Sequence, residues 1–276
     1  MKLIVLFAIG GGLFVVLVAV RRAVRGFRSK RLMEAPFPEA WEAIVLDNVA
    51  LYRHLPDALK KQLHADMQIF LAEKNFEGAG GLDITDEIRV TIAAQACLLL
   101  LNREDRNYPG LDSIIVYPGA YRVSKKIALG DAAIEGQDVR LGESWRQGAV
   151  VLAWDHVKQD ALYPAAGHSV VLHEFAHQLD QEDGKSDGVP VLERLSAYAA
   201  WGRILGKEYQ LLQESVRHNK QSLLNPYGAT NPAEFFAVAT ETFFTKPGQM
   251  RQKEPKLYEE LSQYYKVDPA AWLGKI

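Results

Sequence analysis

Hydrophobic residues are arranged along the chain in three patterns, and each pattern predicts a different kind of element. Residues 3–20 form one apolar run without a charged side chain, close to the roughly 20 residues that span a membrane as a helix. Apolar residues recur at helical spacing over 48–71 and 189–220, whereas 113–117 and 149–154 are short apolar runs bounded by glycine or proline. The chain is therefore predicted to be α+β, mostly helical with a small mixed β-sheet, behind an N-terminal transmembrane helix.

Shorter segments refine this outline. Thr85, followed by two acids, predicts a helix start, and the apolar residues 88–101 predict a central core helix. Residues 76–82 are rich in glycine and lack a phosphate-binding motif, which favours a loop. The remaining predictions are weaker strands over 122–127 and 138–142, a helix from about 167–169 to 183–184, and either one helix over 189–220 or two broken near Gly206.

The apolar run at the N-terminus has three interpretations. A signal peptide should end in a small-residue cleavage site, and this run ends in Ala19-Val20-Arg21-Arg22 without one. A buried core helix should be amphipathic, and this run is apolar on all sides. We therefore predict an uncleaved transmembrane anchor over 1–21, with residues 3–20 in the lipid bilayer.

The charges that flank the anchor predict its orientation. Lys2 precedes the apolar run, whereas a basic cluster follows it: Arg21, Arg22, Arg25, Arg28, Lys30 and Arg31. The positive-inside rule then places the rest of the chain in the cytoplasm, as a single-pass protein of the inner membrane. Pro36 and Pro38 discourage a continuing helix, so 22–35 is assigned to a basic juxtamembrane linker that faces lipid headgroups, and 36–276 to the folded domain.

Composition and charge exclude several classes of protein. With 276 residues, a net charge of −2 and a pI of about 6.4, the chain has no global feature of a nucleic-acid-binding protein. Cys97 is the single cysteine, which excludes an intrachain disulfide and a cysteine-based zinc finger. It lies in an apolar segment, so we interpret it as a core residue and not as a nucleophile.

The strongest chemical signal is the segment 170–180, which reads VVLHEFAHQLD. Residues four apart lie on one face of a helix, so His173 and His177 can bind one metal ion, and Glu174 can hold a water beside it. Two imidazoles and a carboxylate suit one Zn²⁺ ion and leave a fourth position for water. The competing interpretation is a helix with two surface histidines, but the apolar neighbours predict a buried helix in which unligated histidines are costly.

A zinc site needs a third protein ligand, and two acids compete for that role. Glu234 and Glu241 lie seven residues apart, on one face of a predicted helix that is otherwise crowded with phenylalanine. Glu234 is also explained as the third residue of a helix capped by Asn231, so the pattern alone leaves both acids open. The compact HExxHxxGxxH template is not met, because Asp180 and Asp183 occupy its glycine and last histidine positions.

Two further residues near the motif have no firm role from the pattern. Asp180 follows His173 by seven residues and either orients a ligand imidazole or is a solvated acid near a helix end. His168 precedes His173 by five residues, so it should point away from the metal-facing side and be structural or exposed.

The segments HEFAHQLD and YGATNPAEFFAVATETFF resemble the Mlc titration factor A family of bacterial zinc peptidases. The second segment also resembles the catalytic domain of anthrax lethal factor, and similarity to the family extends over most of residues 36–276. The resemblance implies a zincin-like metallopeptidase fold with one Zn²⁺ ion. It also implies these roles: His173, His177 and Glu234 as zinc ligands, Glu174 as general base, Tyr227 as a donor to the oxyanion, and Glu241 as a supporting acid.

These observations favour a zinc-dependent peptidase that hydrolyses peptide or protein substrates with a zinc-activated water and a glutamate general base, anchored to the cytoplasmic face of the membrane. The alternative is a regulatory binding protein that sequesters a transcription repressor such as Mlc, with little catalytic role. A weaker alternative is a metal-dependent hydrolase of non-peptide amides. The intact set of base, ligands and tyrosine favours the peptidase, because binding alone does not require it.

Overall fold

The computed structural model describes residues 26–103, 107–129, 132–140, 142–145 and 148–272, which form a mostly helical structure with a small β-sheet. The prediction of a mostly helical chain is therefore confirmed. No helix within these ranges is long and apolar enough to cross a membrane. The predicted anchor over 1–21 lies outside the described residues and stays a prediction.

The first described part of the chain is helical and includes residues 48–71, which the sequence predicted to be helical. Helix α1 covers 26–34, and it is followed by α2 (Glu39–Asn48), a 3₁₀ turn (Ala50–His54) and α3 (Asp57–Glu73). The prediction of helical structure over 48–71 is confirmed for 57–71, and the helical structure is interrupted at Leu55, whose ψ of 138° is extended. Pro56 causes this break, since proline disfavours the helical conformation of the residue before it.

Helix α4 (Asp86–Leu98) runs through the core. Thr85 caps it as predicted, because its hydroxyl accepts a hydrogen bond from the Ile88 amide at 3.4 Å. Every residue from 90 to 98 is buried. Burial raises the pKa of the Cys97 thiol well above its usual range, which suits a core residue and not a nucleophile.

The β-sheet has four strands in the order β1-β2-β6-β5. Strands β1 (Asn75–Gly78), β2 (Ser113–Tyr117) and β6 (Ala149–Ala153) are parallel, and β5 (Gly142–Trp145) pairs with β6 in the antiparallel sense. The strands predicted over 113–117 and 149–154 are thus confirmed. The loop predicted over 76–82 was wrong for 76–78, which belong to an edge strand, since backbone pairing with β2 outweighs the weak strand propensity of glycine.

A separate antiparallel hairpin lies between β2 and β5 along the chain. It consists of β3 (Tyr121–Leu129) and β4 (Ala132–Arg140), which pair over their whole length. The weaker strand predicted over 122–127 lies within β3 and is confirmed. The one predicted over 138–142 has the wrong bounds, because it covers only the end of β4 and also Gly142, the first residue of β5.

Helices α5 (Trp154–Leu162), α6 (Val170–Asp180) and α7 (Leu195–Arg217) follow the sheet. Helix α7 is continuous, so the alternative of a break near Gly206 is excluded. Trp201, Leu205 and Leu212 bury one side of α7. That burial outweighs the roughly 1 kcal/mol that a glycine costs inside a helix.

Four helices complete the described part of the chain, namely α8 (Pro232–Thr245), α9 (Pro247–Lys253), α10 (Pro255–Tyr265) and α11 (Pro269–Trp272). Each begins with proline, which is compatible with the first turn because the missing amide hydrogen has no partner there. Helix α8 is buried along almost its whole length and packs against α6. This contact brings the two segments that the sequence analysis singled out into one place.

Candidate metal centre

Helix α6 presents His173 and His177 on one face. Ser169 caps the helix, since its hydroxyl accepts a hydrogen bond from the Leu172 amide at 3.3 Å and donates one to Gln95 Oε1 at 3.2 Å. The ring centroids of the two histidines are 4.9 Å apart, and their Nε2 atoms are 3.2 Å apart. At that separation, at least one of the two nitrogens must offer a lone pair to the space between the rings.

Glu234 brings a carboxylate to the same point from α8. Asn231 caps α8 by accepting a hydrogen bond from the Glu234 amide at 3.0 Å, which places Glu234 in the first turn. Glu234 Oε2 lies 3.0 Å from His173 Nε2 and 3.3 Å from His177 Nε2. The three ligand atoms therefore converge, and all of them lie within 4.8 Å of one another.

Glu241 contacts the opposite edge of the His173 ring. Its Oε1 lies 2.7 Å from His173 Nδ1, and its Oε2 accepts a hydrogen bond from the Ser169 amide at 2.8 Å. A carboxylate in this position favours the tautomer with hydrogen on Nδ1, which leaves the lone pair of His173 Nε2 facing Glu234 and His177. Of the two acids that the sequence left open, Glu234 therefore joins the histidine pair and Glu241 supports it.

The electrostatics of this cluster favour a positive charge. Burial lowers the pKa of His173, but the hydrogen bonds that the imidazole donates to the Glu234 and Glu241 carboxylates outweigh that effect and raise the pKa to about 10. Burial raises the pKa of Glu234, and its contacts with His173 and His177 outweigh it and hold the pKa well below its usual range. The same negative charge would stabilise a metal cation bound by the three converging donor atoms, so the residues present fit a metal ion.

Glu174 is buried on α6 between the two histidines along the sequence. Its carboxylate is close enough to His173 to contribute to the raised pKa of that imidazole. The structure therefore places this candidate base beside the ligand cluster.

Tyr227 lies near the cluster in a 3₁₀ turn (Pro226–Ala229) that packs against α7 and α8. Its ring centroid is 6.0 Å from that of His173, and the residue is 54% exposed. The residue pattern alone gave no reason to link this turn to the motif helix. The family resemblance supplied that link, and the structure places the phenol next to a candidate ligand.

Asp180 lies outside the ligand cluster, at the end of α6. Its Oδ2 accepts a hydrogen bond from the Gly188 amide at 3.1 Å, and burial raises its pKa to about 6. Within the described part of the chain, neither Asp180 Oδ1 nor His177 Nδ1 has a hydrogen-bond partner. Asp180 therefore does not orient the ligand imidazole of His177 by a direct hydrogen bond. The alternative of a solvated acid was also wrong, because Asp180 is fully buried and pairs with the Gly188 amide.

Three further polar residues, His168, Gln95 and Asn225, lie around the ligand cluster. The His168 side chain is 57% exposed and lies outside the three-ligand group, as its five-residue spacing from His173 predicted. Sequence reasoning did not single out Gln95, which contacts Ser169, or Asn225, whose Nδ2 lies 3.3 Å from His168 Nε2. Gln95 is separated from Ser169 by 74 residues, so no local pattern could have identified it.

Comparisons with known proteins agree with this geometry. The family described as glucose-regulated metallo-peptidase M90 matches residues 24–266, a range that includes every candidate site residue. The chain is 43% identical to the uncharacterized protein slr2042 of Synechocystis sp. over 245 residues, which is 88% of this chain and 89% of that protein.

Two further relatives carry the name Mlc titration factor A. The chain is 31% identical to the one from Pectobacterium atrosepticum over 239 residues, or 85% of this chain and 88% of the relative. It is 32% identical to the one from Serratia proteamaculans over 210 residues, or 75% of this chain and 79% of the relative.

Proposed function

We propose that this chain, which belongs to the M90 family of glucose-regulated metallopeptidases, hydrolyses peptide bonds with one zinc ion held by His173, His177 and Glu234. The observation that carries the proposal is the convergence of three ligand atoms from two helices. His177 and Glu234 are 57 residues apart along the chain, yet their ligand atoms lie 3.3 Å apart. Zinc suits this set, because two imidazoles and one carboxylate leave a fourth position open for water.

The chain's own residues account for the proton transfers and the charge stabilisation of amide hydrolysis. Bound zinc would supply a Lewis acid that polarises the scissile carbonyl and acidifies the attacking water. Glu174 accepts the proton of that water and later delivers it to the leaving amine. The phenol of Tyr227 donates a hydrogen bond to the negative charge that develops on the carbonyl oxygen. Glu241 holds His173 in the tautomer that a metal ligand requires.

The sheet suggests where a peptide substrate binds. Strand β5 contacts α6, and among the described strands it pairs with β6 alone, so its other edge has no partner strand within that set. An extended peptide can add to such an edge through backbone hydrogen bonds. We therefore place the substrate along β5, beside the motif helix, in a zincin-like arrangement.

Replacement of the base tests the proposed mechanism. Glu174→Gln should keep stoichiometric zinc and lose about 10³-fold in the initial rate of peptide-library cleavage, because the amide cannot accept a proton. Glu214→Gln is the matched control, since Glu214 is an exposed glutamate on α7, and it should retain both zinc and rate. Wild-type cleavage by Glu174→Gln would exclude the mechanism.

A location at the cytoplasmic face of the membrane also belongs to the proposal. It is supported by the apolar run at 3–20 and the basic cluster behind it. The full chain should stay with membranes after an alkaline wash, whereas a chain lacking residues 1–21 should be released. Release of the full chain by the wash would exclude the anchor.

A second role, binding of a transcription repressor, is favoured by the name of two relatives, Mlc titration factor A. If binding is separate from catalysis, Glu174→Gln should bind a purified Mlc-type repressor with wild-type affinity in titration calorimetry while losing peptidase activity. Absence of binding by the wild-type chain would exclude this role and leave the peptidase proposal unaffected.

A further inference from the structure

Asn225 connects the turn that carries Tyr227 to His168, which lies just before α6, the helix of His173 and His177. Its Oδ1 accepts a hydrogen bond from the Tyr227 amide at 2.9 Å, and its Nδ2 lies 3.3 Å from His168 Nε2. An amide nitrogen can only donate, so His168 Nε2 accepts, and the hydrogen of a neutral His168 lies on Nδ1. Turning the Asn225 amide round would place its nitrogen against the Tyr227 amide and remove the cap of the turn.

The same path continues from His168 to the metal centre. His168 Nδ1 lies 3.8 Å from Glu241 Oε2, and Glu241 Oε1 lies 2.7 Å from His173 Nδ1. With its hydrogen on Nδ1, His168 turns a positive edge towards the Glu241 carboxylate. Glu241, which orients His173, therefore also faces His168, and His168 in turn contacts Asn225.

The other side of the tyrosine turn is fixed by packing. Gly228 is buried, and a Cβ added there would lie 3.2 Å from Leu212 on α7 and 3.2 Å from Val238 on α8. The turn thus lies directly against both helices at Gly228. Asn225 fixes the end of the turn that precedes Tyr227, so the two contacts together set the position of the tyrosine.

We propose that Asn225 and His168 are positioning residues that hold Tyr227 at the metal centre during peptide hydrolysis. This inference rests on the proposed role of Tyr227 as a donor to the oxyanion. Such a donor must lie within about 3 Å of the developing charge, and a displacement of about 1 Å can cost about 100-fold in rate. Tyr227 is 54% exposed, and its backbone amide is fixed by Asn225, so the backbone of the turn contributes to the position of the phenol.

A double-mutant cycle on peptide hydrolysis by the full chain tests this proposal. We expect about a tenfold loss of kcat in Asn225→Ala and a smaller loss in His168→Ala, with KM changed less than about twofold. In a Tyr227→Phe background, neither substitution should lower kcat further, because the group that they position is already gone.

His218→Ala is the matched control in both backgrounds. His218 is exposed, and its Nδ1 contacts the Glu214 carbonyl at 2.8 Å, within the end of its own helix. It should keep the kcat of the parent protein, which separates loss of a specific contact from removal of an exposed histidine.

Amide hydrogen exchange over residues 225–230 in metal-depleted protein gives a readout that does not depend on activity. Asn225→Ala removes the acceptor of the Tyr227 amide and should accelerate exchange most, and His168→Ala should accelerate it less. His218→Ala should exchange like the wild type. All variants should bind one equivalent of zinc, since none changes a proposed ligand.

Equal losses of kcat from Asn225→Ala in the wild-type and Tyr227→Phe backgrounds would overturn the positioning role, and so would unchanged hydrogen exchange. A wild-type kcat in Tyr227→Phe would overturn it as well, because no catalytic tyrosine would then need positioning. Glu174→Gln reports on the peptidase proposal separately. If that variant is inactive while the cycle is additive, the peptidase proposal stands and the positioning role fails.

Discussion

Helices α6 and α8 each carry a candidate metal ligand and, seven residues later, a buried acid. On α6 the pair is His173 and Asp180, and on α8 it is Glu234 and Glu241. Seven residues return a helix to nearly the same face, about 10 Å further along its axis. Asp180 is 0% exposed and Glu241 is 5% exposed, so spacing and burial are alike.

The partners of the two acids differ. Glu241 faces His173 Nδ1 and the Ser169 amide, at 2.7 and 2.8 Å. Asp180 accepts a hydrogen bond from the Gly188 amide instead, where the chain passes so close to α8 that a Cβ on Gly188 would lie 2.3 Å from the Pro232 carbonyl oxygen. The seven-residue spacing therefore determines which face of the helix carries the acid. The element packed against that face determines whether the acid hydrogen-bonds to a metal ligand or to the backbone of a loop.

Alanine in place of each α8 acid should separate the two roles most strongly. Glu234→Ala removes a proposed ligand and should abolish tight zinc binding. Glu241→Ala should keep zinc with an affinity about 10 to 100 times weaker, because it removes only the hydrogen-bond partner of His173. Zinc content after gel filtration and competition with a chromophoric chelator would measure both effects.

Glu214→Ala, on the exposed side of α7, serves as the control for loss of a carboxylate. Loss of zinc in Glu241→Ala with retention in Glu234→Ala would reverse the roles assigned to the two acids.

Asp180→Asn should sharpen the comparison through the pH dependence of stability. The folded-state pKa of Asp180 is about 6, above an unfolded value of about 3.9. Because the pKa is raised in the folded state, Asp180 contributes to the free energy of unfolding below about pH 4. This contribution, up to about 3 kcal/mol, is lost as the pH rises through about 6. The asparagine does not titrate, so in metal-depleted protein its stability relative to the wild type should rise between pH 4 and 7. Urea unfolding at a series of pH values measures this.

Asp183→Asn, at an exposed site three residues further on, is the control and should not share that pH dependence. A constant difference between Asp180→Asn and the wild type from pH 4 to 7 would show that burial does not raise the pKa of Asp180.

Much of the fold could be predicted from local patterns. Strands β2 and β6 and the Thr85 cap follow from short-range chemistry that the structure retains. The helical structure predicted over 48–71 is present for most of that range, but apolar periodicity alone did not reveal the break at Leu55, which Pro56 causes. Strand β1 was missed because its order comes from pairing with β2, which lies 38 residues further along the chain.

Local patterns also predicted only part of the candidate site. His173, Glu174 and His177 form a pattern within five residues, and a helix converts that pattern directly into geometry. The choice between Glu234 and Glu241 depends on how α8 packs against α6, which no local pattern contains. The contacts of Gln95 and Asn225 depend on packing in the same way.

Substitution of the N-cap residues of α6 and α8 should give the smallest effects. These variants test whether the starts of the helices or the acids orient the metal ligands. Asn231→Ala removes the acceptor of the Glu234 amide and should cost about 1 kcal/mol of stability in urea unfolding. Ser169→Ala should cost somewhat more, since it also leaves Gln95 Oε1 without its donor. The Ser169 backbone amide, which donates to Glu241, is unchanged by that substitution. Zinc affinity should therefore fall less than in Glu241→Ala, and an equal fall would mean that the start of α6, and not the carboxylate, orients His173.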